Sequence, residues 1–402
     1  MKNRGSNVYE SLILIFLAYI IVLSYFTEIN LYYLEPVLFI LMFITTVLFH
    51  RNIVVCKYNR LWMLATIMPI ISCIYSSFRS ESFKYCMLLA FFNGLSLYCM
   101  QKGINYERII NWLTYLTGFH VVVTLIQLLS PNIFYSFASM ALKGESLTLN
   151  KGFWSHGTYC GLHDNPALNG FFISIFVLCI FCQFLMNDRS SKNLRNIIMI
   201  VCGCITLIFT QKRSFMLFVL AIAVAAWYIG IKRSKYKGRY FLITALLLVI
   251  AGFAVYKYGI FELATSKMLR YIQAGDISNG RLFLWKESIK YFNKSPIFGI
   301  GIRTISSLLG YDSHNIYIQL LAEVGLIGAI TFYIALLTPA VQGVRLLLKG
   351  KSVNKVLFIT TTLQVLFLLY GITANPLFDH KMMWIYAVVV GVFGGVVQYE
   401  QK

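Results

Sequence analysis

Apolar runs of roughly 17–25 residues, the length a helix needs to cross about 30 Å of hydrocarbon, recur along the whole chain. Twelve are legible, over approximately 9–27, 33–49, 61–78, 85–100, 109–130, 166–186, 196–211, 214–231, 240–258, 316–338, 356–374 and 383–399. This pattern predicts an all-α polytopic membrane protein, a single integral membrane domain over 1–402 with about twelve transmembrane helices. The first run follows Lys2 and Arg4, as in a signal peptide. Its apolar stretch is too long for one and no small-residue cleavage site follows, so it reads as a retained anchor.

Composition sharpens this picture. The chain is 58% hydrophobic and 12% charged, with a mean hydropathy of +0.71, whereas soluble domains carry about 25% charged residues. A water-soluble surface is therefore excluded. The net charge of +20 would point to nucleic acid in a soluble protein, but in a membrane protein it records loop orientation. With the N-terminus inside, the inner segments hold twenty Lys and Arg and the short outer loops five. That bias places both termini in the cytoplasm, predicts no nucleic-acid partner, and puts two long segments outside: 131–165 and 259–315. The second carries Lys267, Arg270, Arg281, Lys286, Lys290, Lys294 and Arg303. Only Cys160 of nine cysteines falls in an outer loop, so no outer disulfide is expected. Cys179 and Cys182 lie inside an apolar run and read as packing. Without a second Cys/His pair there is no zinc pattern, and neither a metal nor a cofactor is expected.

Polar chemistry gathers on the outer side. His156, His163, His314 and His380 all fall there, which points to a polar chamber, although each taken singly reads as a solvated loop residue. Lys212 and Arg213, in Thr210-Gln211-Lys212-Arg213-Ser214, sit between two runs that form a tight hairpin. Ionisable groups at the membrane boundary are functional-site hypotheses. Either both snorkel to headgroups, or Arg213 presents its planar fork to a phosphate beside the helix N-terminus opened by Ser214.

Within the long loop, Ser278 or Asn279 caps an amphipathic helix over about 280–293, with Leu282, Trp285, Ile289 and Phe292 on one face. It stops at Ser295-Pro296. A Trp/Phe face opposite a Lys face suits an interfacial helix. Arg281 falls in its first turn, unfavourable for a cation by the helix dipole, and so reads either as a plain surface arginine or as the partner of an anion. Gly299 and Gly301 permit turns; with no preceding strand they do not make a dinucleotide motif.

Then Asp312-Ser313-His314-Asn315 opens the tenth run. A cap at Ser313 or Asp312 would put His314 in the first helical turn, where the helix N-terminus keeps imidazole neutral and able to accept a proton. Glu323 falls on the opposite face, about 13 Å deeper at 1.5 Å per residue, and reads as a structural hydrogen-bonding group beside Gly325 and Gly328, which permit close helix packing. Two arginines suited to phosphate oxygens plus one neutral histidine, without a metal cluster, describe transfer from a lipid-borne phosphate or diphosphate. His314 would deprotonate the incoming hydroxyl and the arginines would stabilise the departing anion.

The order Thr210-Gln-Lys-Arg213-Ser-Phe, Gly280-Arg281-Leu-Phe-Leu-Trp285, Ser295-Pro296-Ile-Phe-Gly299-Ile-Gly301 and Ser313-His314-Asn315 followed by Glu323-Val-Gly325-Leu-Ile-Gly328 resembles the O-antigen ligase/polymerase superfamily. The resemblance spans about 205–335, with a less specific stretch at Gly161–Asn169. It implies a bacterial cytoplasmic-membrane enzyme of the GT-C-like bundle type, acting at the outer face on glycans carried by undecaprenyl diphosphate. Arg213 and Arg281 would hold the diphosphate and His314 would activate the acceptor hydroxyl, with Lys212, Arg303, Asn315 and Glu323 in support. Metal-independent, inverting transfer is implied too. Implied partners are the undecaprenyl-diphosphate-linked oligosaccharide, the bilayer, and chain-length-regulator and flippase proteins.

No specialised acceptor module stands out in the outer loops, which favours a repeat-unit polymerase over a ligase that passes finished glycan to lipid A core or another acceptor. A twelve-span transporter or lipid flippase is the rival of another class, but the two halves show no matching repeats.

Overall fold

The computed structural model describes residues 2–25, 34–49, 53–186, 190–231, 278, 280–349 and 354–400. The expected ninth run, 240–258, and the loop stretch 259–277 with Lys267 and Arg270 lie outside the described residues.

Long apolar stretches separated by capping residues and prolines fold here as helices, and no strand occurs among the described residues. In chain order they are α1 (Lys2–Ile21), α2 (Leu34–Phe49), α3 (Lys57–Tyr75), α4 (Arg79–Cys99), α5 (Tyr106–Leu129), α6 (Pro131–Ala141), α7 (Gly144–Ser155), α8 (Pro166–Leu185), α9 (Ser190–Phe209), α10 (Arg213–Ile231), α11 (Arg281–Lys294), α12 (Thr304–Leu309), α13 (Ile316–Lys349), α14 (Lys355–Gly371) and α15 (His380–Tyr399).

Among the described residues, six helical stretches are long and apolar enough to cross a membrane: Val8–Tyr25, Tyr106–Leu129, Pro166–Leu185, Arg213–Gly230, Ile316–Lys349 and His380–Tyr399. Three shorter apolar helices, Leu34–Leu48, Leu194–Phe209 and Lys355–Gly371, accompany them. Among the described residues the structure is thus all-helical and has the make-up of a polytopic membrane protein. Helices α3 and α4 have the length, 19 and 21 residues, but bury Asn59, Ser72, Ser82 and Asn93. Those polar groups pair with one another and with backbone: Asn59 Nδ2 donates to Ser96 Oγ, and Asn93 Nδ2 to Thr66 Oγ1.

A helix that is apolar all round belongs in the middle, and one that keeps an aliphatic face outward belongs at the rim. Accordingly α8 has 89% of its span buried and α15 83%, against 22% for α10, which turns Leu217, Leu220 and Val224 outward. The segment 131–165 is partly helical, holding α6 and α7 before an irregular stretch over 156–165.

The tenth run does not continue as one straight helix. Gly325, at φ 65° and ψ −173°, breaks α13 after Val324. A break strands carbonyls on one side and N–H groups on the other, and such groups at membrane depth must find partners within the protein. The loop from Pro296 to Gly301 supplies four such partners. Ile300 N and Gly301 N donate to the carbonyls of Ala322 and Glu323 at 3.0 and 2.8 Å, while Leu326 N and Ile327 N donate to the carbonyls of Pro296 and Ile297 at 2.8 and 3.4 Å.

This exchange brings backbone against backbone. A Cβ built on Gly299 would lie 2.4 Å from the Glu323 carbonyl and the Gly325 nitrogen, and one on Gly325 2.3 Å from the Ile297 carbonyl oxygen. Both residues also sit at positive φ. These glycines were expected to permit a turn and close helix packing; their use is closer than that, as the two sides of a backbone junction. Gly328 does serve helix packing, against Met68 of α3.

Candidate functional site

The junction anchors one end of the molecule. Ser82 Oγ donates to Ile302 O at 2.6 Å and Tyr85 Oη to Leu377 O at 3.1 Å. These bonds tie the α3–α4 turn to the loop before α12 and to the α14–α15 connection. Tyr159 N donates to Phe209 O and Gln211 Nε2 to Gly157 O at 2.8 Å, fastening the segment after α7 to the α9–α10 hairpin.

His314 sits before the helix, not in its first turn. The cap is Asn315, whose Oδ1 accepts from Tyr317 N at 3.0 Å and Ile318 N at 3.2 Å. Asn pays little penalty as an N-cap because its side chain replaces the missing intrahelical acceptor for those N–H groups. Ser313 folds back on the turn, its Oγ donating to Asn315 O at 2.8 Å. His314 is left at φ 54°, a left-handed conformation.

Only two other described non-glycine residues share that conformation: Gln211 at φ 53°, beside Lys212, and Arg303 at φ 65°. Strained backbone of this kind persists where the surroundings over-determine it, and it clusters at functional sites. All three positions lie within the motifs singled out from the sequence.

Around His314 the charges are mixed. Burial pushes its pKa below the ordinary histidine value, and the cations of Arg281 and Lys212 push the same way while Asp312 opposes them. The imidazole is therefore held neutral, as a base requires, but by burial and neighbouring cations rather than by a helix terminus.

Arg281 opens α11 directly after Gly280, which is left-handed at φ 80°. The N-cap is Gly280 rather than Ser278, which lies two residues before it and whose Oγ accepts from Leu282 N at 3.0 Å; Asn279, the other expected cap, lies outside the described residues. Trp285 Nε1 donates to Ser313 O at 2.9 Å, so the helix bearing Arg281 is pinned to the turn bearing His314. Leu284 and Ser288 are buried, while Leu282 and Ile289 are exposed. The protein-facing side of α11 is therefore rotated from the expected apolar stripe of Leu282, Trp285, Ile289 and Phe292.

Arg213, rather than Ser214, is the first residue of α10. It is exposed and Lys212 is half-buried; the charge of Lys212 acts on His314. One turn into α10, Phe215 stacks on Tyr370 with ring centroids 4.2 Å apart, and Tyr370 lies within electrostatic reach of Arg281. The hairpin and α11 thus meet around the C-terminal end of α14.

The expected supporting residues hold the scaffold. Arg303 pairs with Asp312 at 3.3 Å and lies 5.2 Å from the ring centre of Phe378. Glu323 is fully buried; its carboxylate accepts from Arg303 N at 2.8 Å and Ile305 N at 3.0 Å, capping α12.

One residue in this network carries no motif signal. Gln319, also fully buried, accepts through Oε1 from Ser313 N at 2.9 Å and from Asn375 Nδ2. Through Nε2 it donates to Asp312 Oδ1 at 3.0 Å and Glu323 Oε1 at 3.1 Å. A glutamine side chain offers two donors and two acceptor sites, and all are used to hold the 312–315 turn. A single Gln four residues before a Glu on an apolar helix looks like any polar insertion, which is why spacing alone did not reveal it.

The four outer histidines do not form one chamber. His163 is buried with His120, their ring nitrogens 3.2 Å apart, packed by Tyr25 and Phe172. Burial and the neighbouring His120 hold the His163 pKa well down. His156 is exposed and bonds Gly152 O through Nδ1 at 2.8 Å. His380 is exposed at the start of α15. Only His314 keeps company with the arginines. Among the described residues no group of His, Cys, Asp and Glu is arranged to hold a metal ion, and the described cysteines are free thiols, with Cys179 and Cys182 buried.

Comparison with curated proteins finds no match. A family comparison does: the family described as O-antigen ligase matches residues 198–333, a stretch that contains Lys212, Arg213, Arg281, Arg303, His314, Asn315, Gln319 and Glu323. Over 198–333 the chain is thus similar to the O-antigen ligase family, in the stretch where the sequence resemblance to the O-antigen ligase/polymerase superfamily was read.

Proposed function

We propose that this protein polymerises oligosaccharide repeat units carried on undecaprenyl diphosphate into a surface polysaccharide, at the outer face of a bacterial cytoplasmic membrane. In this reading the bundle has about twelve spans in a GT-C-like arrangement, both termini are cytoplasmic, and the reaction is metal-independent and inverting. The observation that carries it is the convergence of Arg281 and Lys212 on His314, a solvent-accessible imidazole whose pKa desolvation and these cations lower.

A hydroxyl of one repeat unit attacks the anomeric carbon of another. The new glycosidic C–O bond forms as the C–O bond to the diphosphate breaks, the hydroxyl proton passes to the His314 imidazole, and the lipid diphosphate departs. Arg213 and Arg281, with Lys212, take up the charge that grows on the departing oxygens, where fixed cations contribute most because little solvent must reorganise. A guanidinium suits this task because its fork matches two oxygens at once. The expected chain-length-regulator and flippase partners belong to this reading, as suppliers of substrate and limiters of length.

The family description keeps a second reading in view, that of a ligase transferring finished glycan to lipid A core or another acceptor. Purified protein incubated with lipid-diphosphate repeat units distinguishes them: a ladder of longer lipid-linked products is expected, and His314→Ala should abolish it without altering the thermal unfolding profile. A single product appearing only when a separate acceptor is added would favour the ligase. Lipid translocation without any glycan transfer would overturn both.

A further inference from the structure

The end of the molecule opposite His314 carries a second feature that glycan transfer does not use. A groove of about 410 Å³ lies along the second half of α13 and reaches the first residue of α3. Its wall is an aliphatic stripe of Ile330, Ile334, Leu337 and Val341, spaced to share one helical face and each 44–46% exposed. Its mouth is basic: Lys57 and Arg345 line it together with Gln342. Lys57 Nζ reaches across from α3 to donate to Gln342 Oε1, which holds the ammonium at the mouth. Among the described residues no carboxylate lines the groove.

The dimensions fit one leaflet. From Ile330 to Val341 the stripe rises about 16 Å at 1.5 Å per residue, close to half of a hydrocarbon core about 30 Å thick. Arg345 lies one turn beyond, at headgroup level. Basic pockets between transmembrane helices recognise anionic lipid headgroups, whereas a zwitterionic lipid gains little from two cations.

We propose that this groove is a binding site for one anionic phospholipid of the leaflet facing away from His314. Its headgroup phosphate sits between Lys57 and Arg345 and an acyl chain lies along the Ile330–Val341 stripe. The inference is independent of the polymerase reading, since none of these residues takes part in transfer.

The test uses the detergent-solubilised full chain, titrated with phosphatidylglycerol or phosphatidylcholine and followed by native mass spectrometry and by unfolding midpoint. One phosphatidylglycerol should be retained selectively and should raise the midpoint, as any ligand of the folded state does. Lys57→Gln with Arg345→Gln should weaken its apparent affinity about thirtyfold, given the usual contribution of each basic residue at an anionic lipid surface. Leu337→Trp fills the wall at an exposed position, leaves both cations in place, and should remove retention even where the double variant does not fold. Arg79→Gln with Lys84→Gln, at the opposite end, should leave it unchanged. Equal retention of both lipids overturns the proposal, as does a phosphatidylglycerol preference that survives both groove changes. Full competition by free glycerol 3-phosphate would show a phosphate site with no role for the chain, and disulfide-linked dimers of Leu337→Cys would show a second copy in the groove; either result also overturns it.

Discussion

At the scale of single residues, the chemistry turns on keeping one imidazole neutral. The His314 pKa is depressed by burial, by Arg281 and by Lys212, so the neutral form persists as pH falls below the ordinary value near 6.5 and is lost only through the lower, folded-state value. The acid limb of kcat/KM should therefore lie below about pH 6.5. Arg281→Gln removes a cation and should move that limb to higher pH, besides weakening diphosphate binding; Asp312→Asn removes an anion and should move it lower. A pH–rate series on the three proteins checks both signs, and limbs that coincide would take His314 out of the proton transfer. Arg213→Lys keeps the charge but not the fork, and a rise in KM for the lipid diphosphate is expected in steady-state kinetics. His314 and both arginines were legible from residue type and motif. That the charge of Lys212 reaches the histidine was not, because the order of neighbours along a hairpin does not say which side chain turns inward.

At the scale of elements, the decisive object is the broken helix α13. Sequence periodicity reads 316–338 as one continuous run because a single glycine inside an apolar stretch is tolerated in membrane helices. What makes Gly325 a break is the loop 24 to 29 residues earlier in the chain, Pro296 to Gly301, whose backbone takes over stranded hydrogen bonds. Gly299→Ala or Gly325→Ala would drive a Cβ to 2.4 Å or less from backbone atoms that have no room to give, at a left-handed position besides. Each should destabilise by more than about 4 kcal/mol, the range reserved for such strain, seen as lost expression or a collapsed unfolding midpoint. Gln319→Leu tests the adjoining network. It leaves Ser313 N, Asp312, Glu323 and Asn375 each one partner short, at about 1–3 kcal/mol for every buried group so exposed. A lower midpoint together with a fall in kcat is expected, while Gln319→Glu restores the acceptor but sets a carboxylate against Asp312 and Glu323 and should not rescue.

At the scale of the whole molecule, the sequence by itself determined the class and the orientation bias. Membrane insertion depends on the length and polarity of each run and on where the cations fall between runs, and both are properties of contiguous chain. It also marked the residues from which the candidate site is built, since cations at a membrane boundary and a histidine ahead of a helix stand out against an apolar background. Tertiary structure alone decided which of these meet. It separated His163 from His314, burying one against His120 and setting the other among Arg281, Lys212 and Asp312. It turned Arg303 and Glu323 into scaffold and brought in Gln319 as the hub of the turn. It also set α8 and α15 at the centre and α10 at the rim, although all three read alike as apolar runs. The reason is physical: hydropathy measures what a segment prefers to leave, which is water, whereas contacts between segments depend on which backbone groups and side chains are left needing partners once every segment is in place.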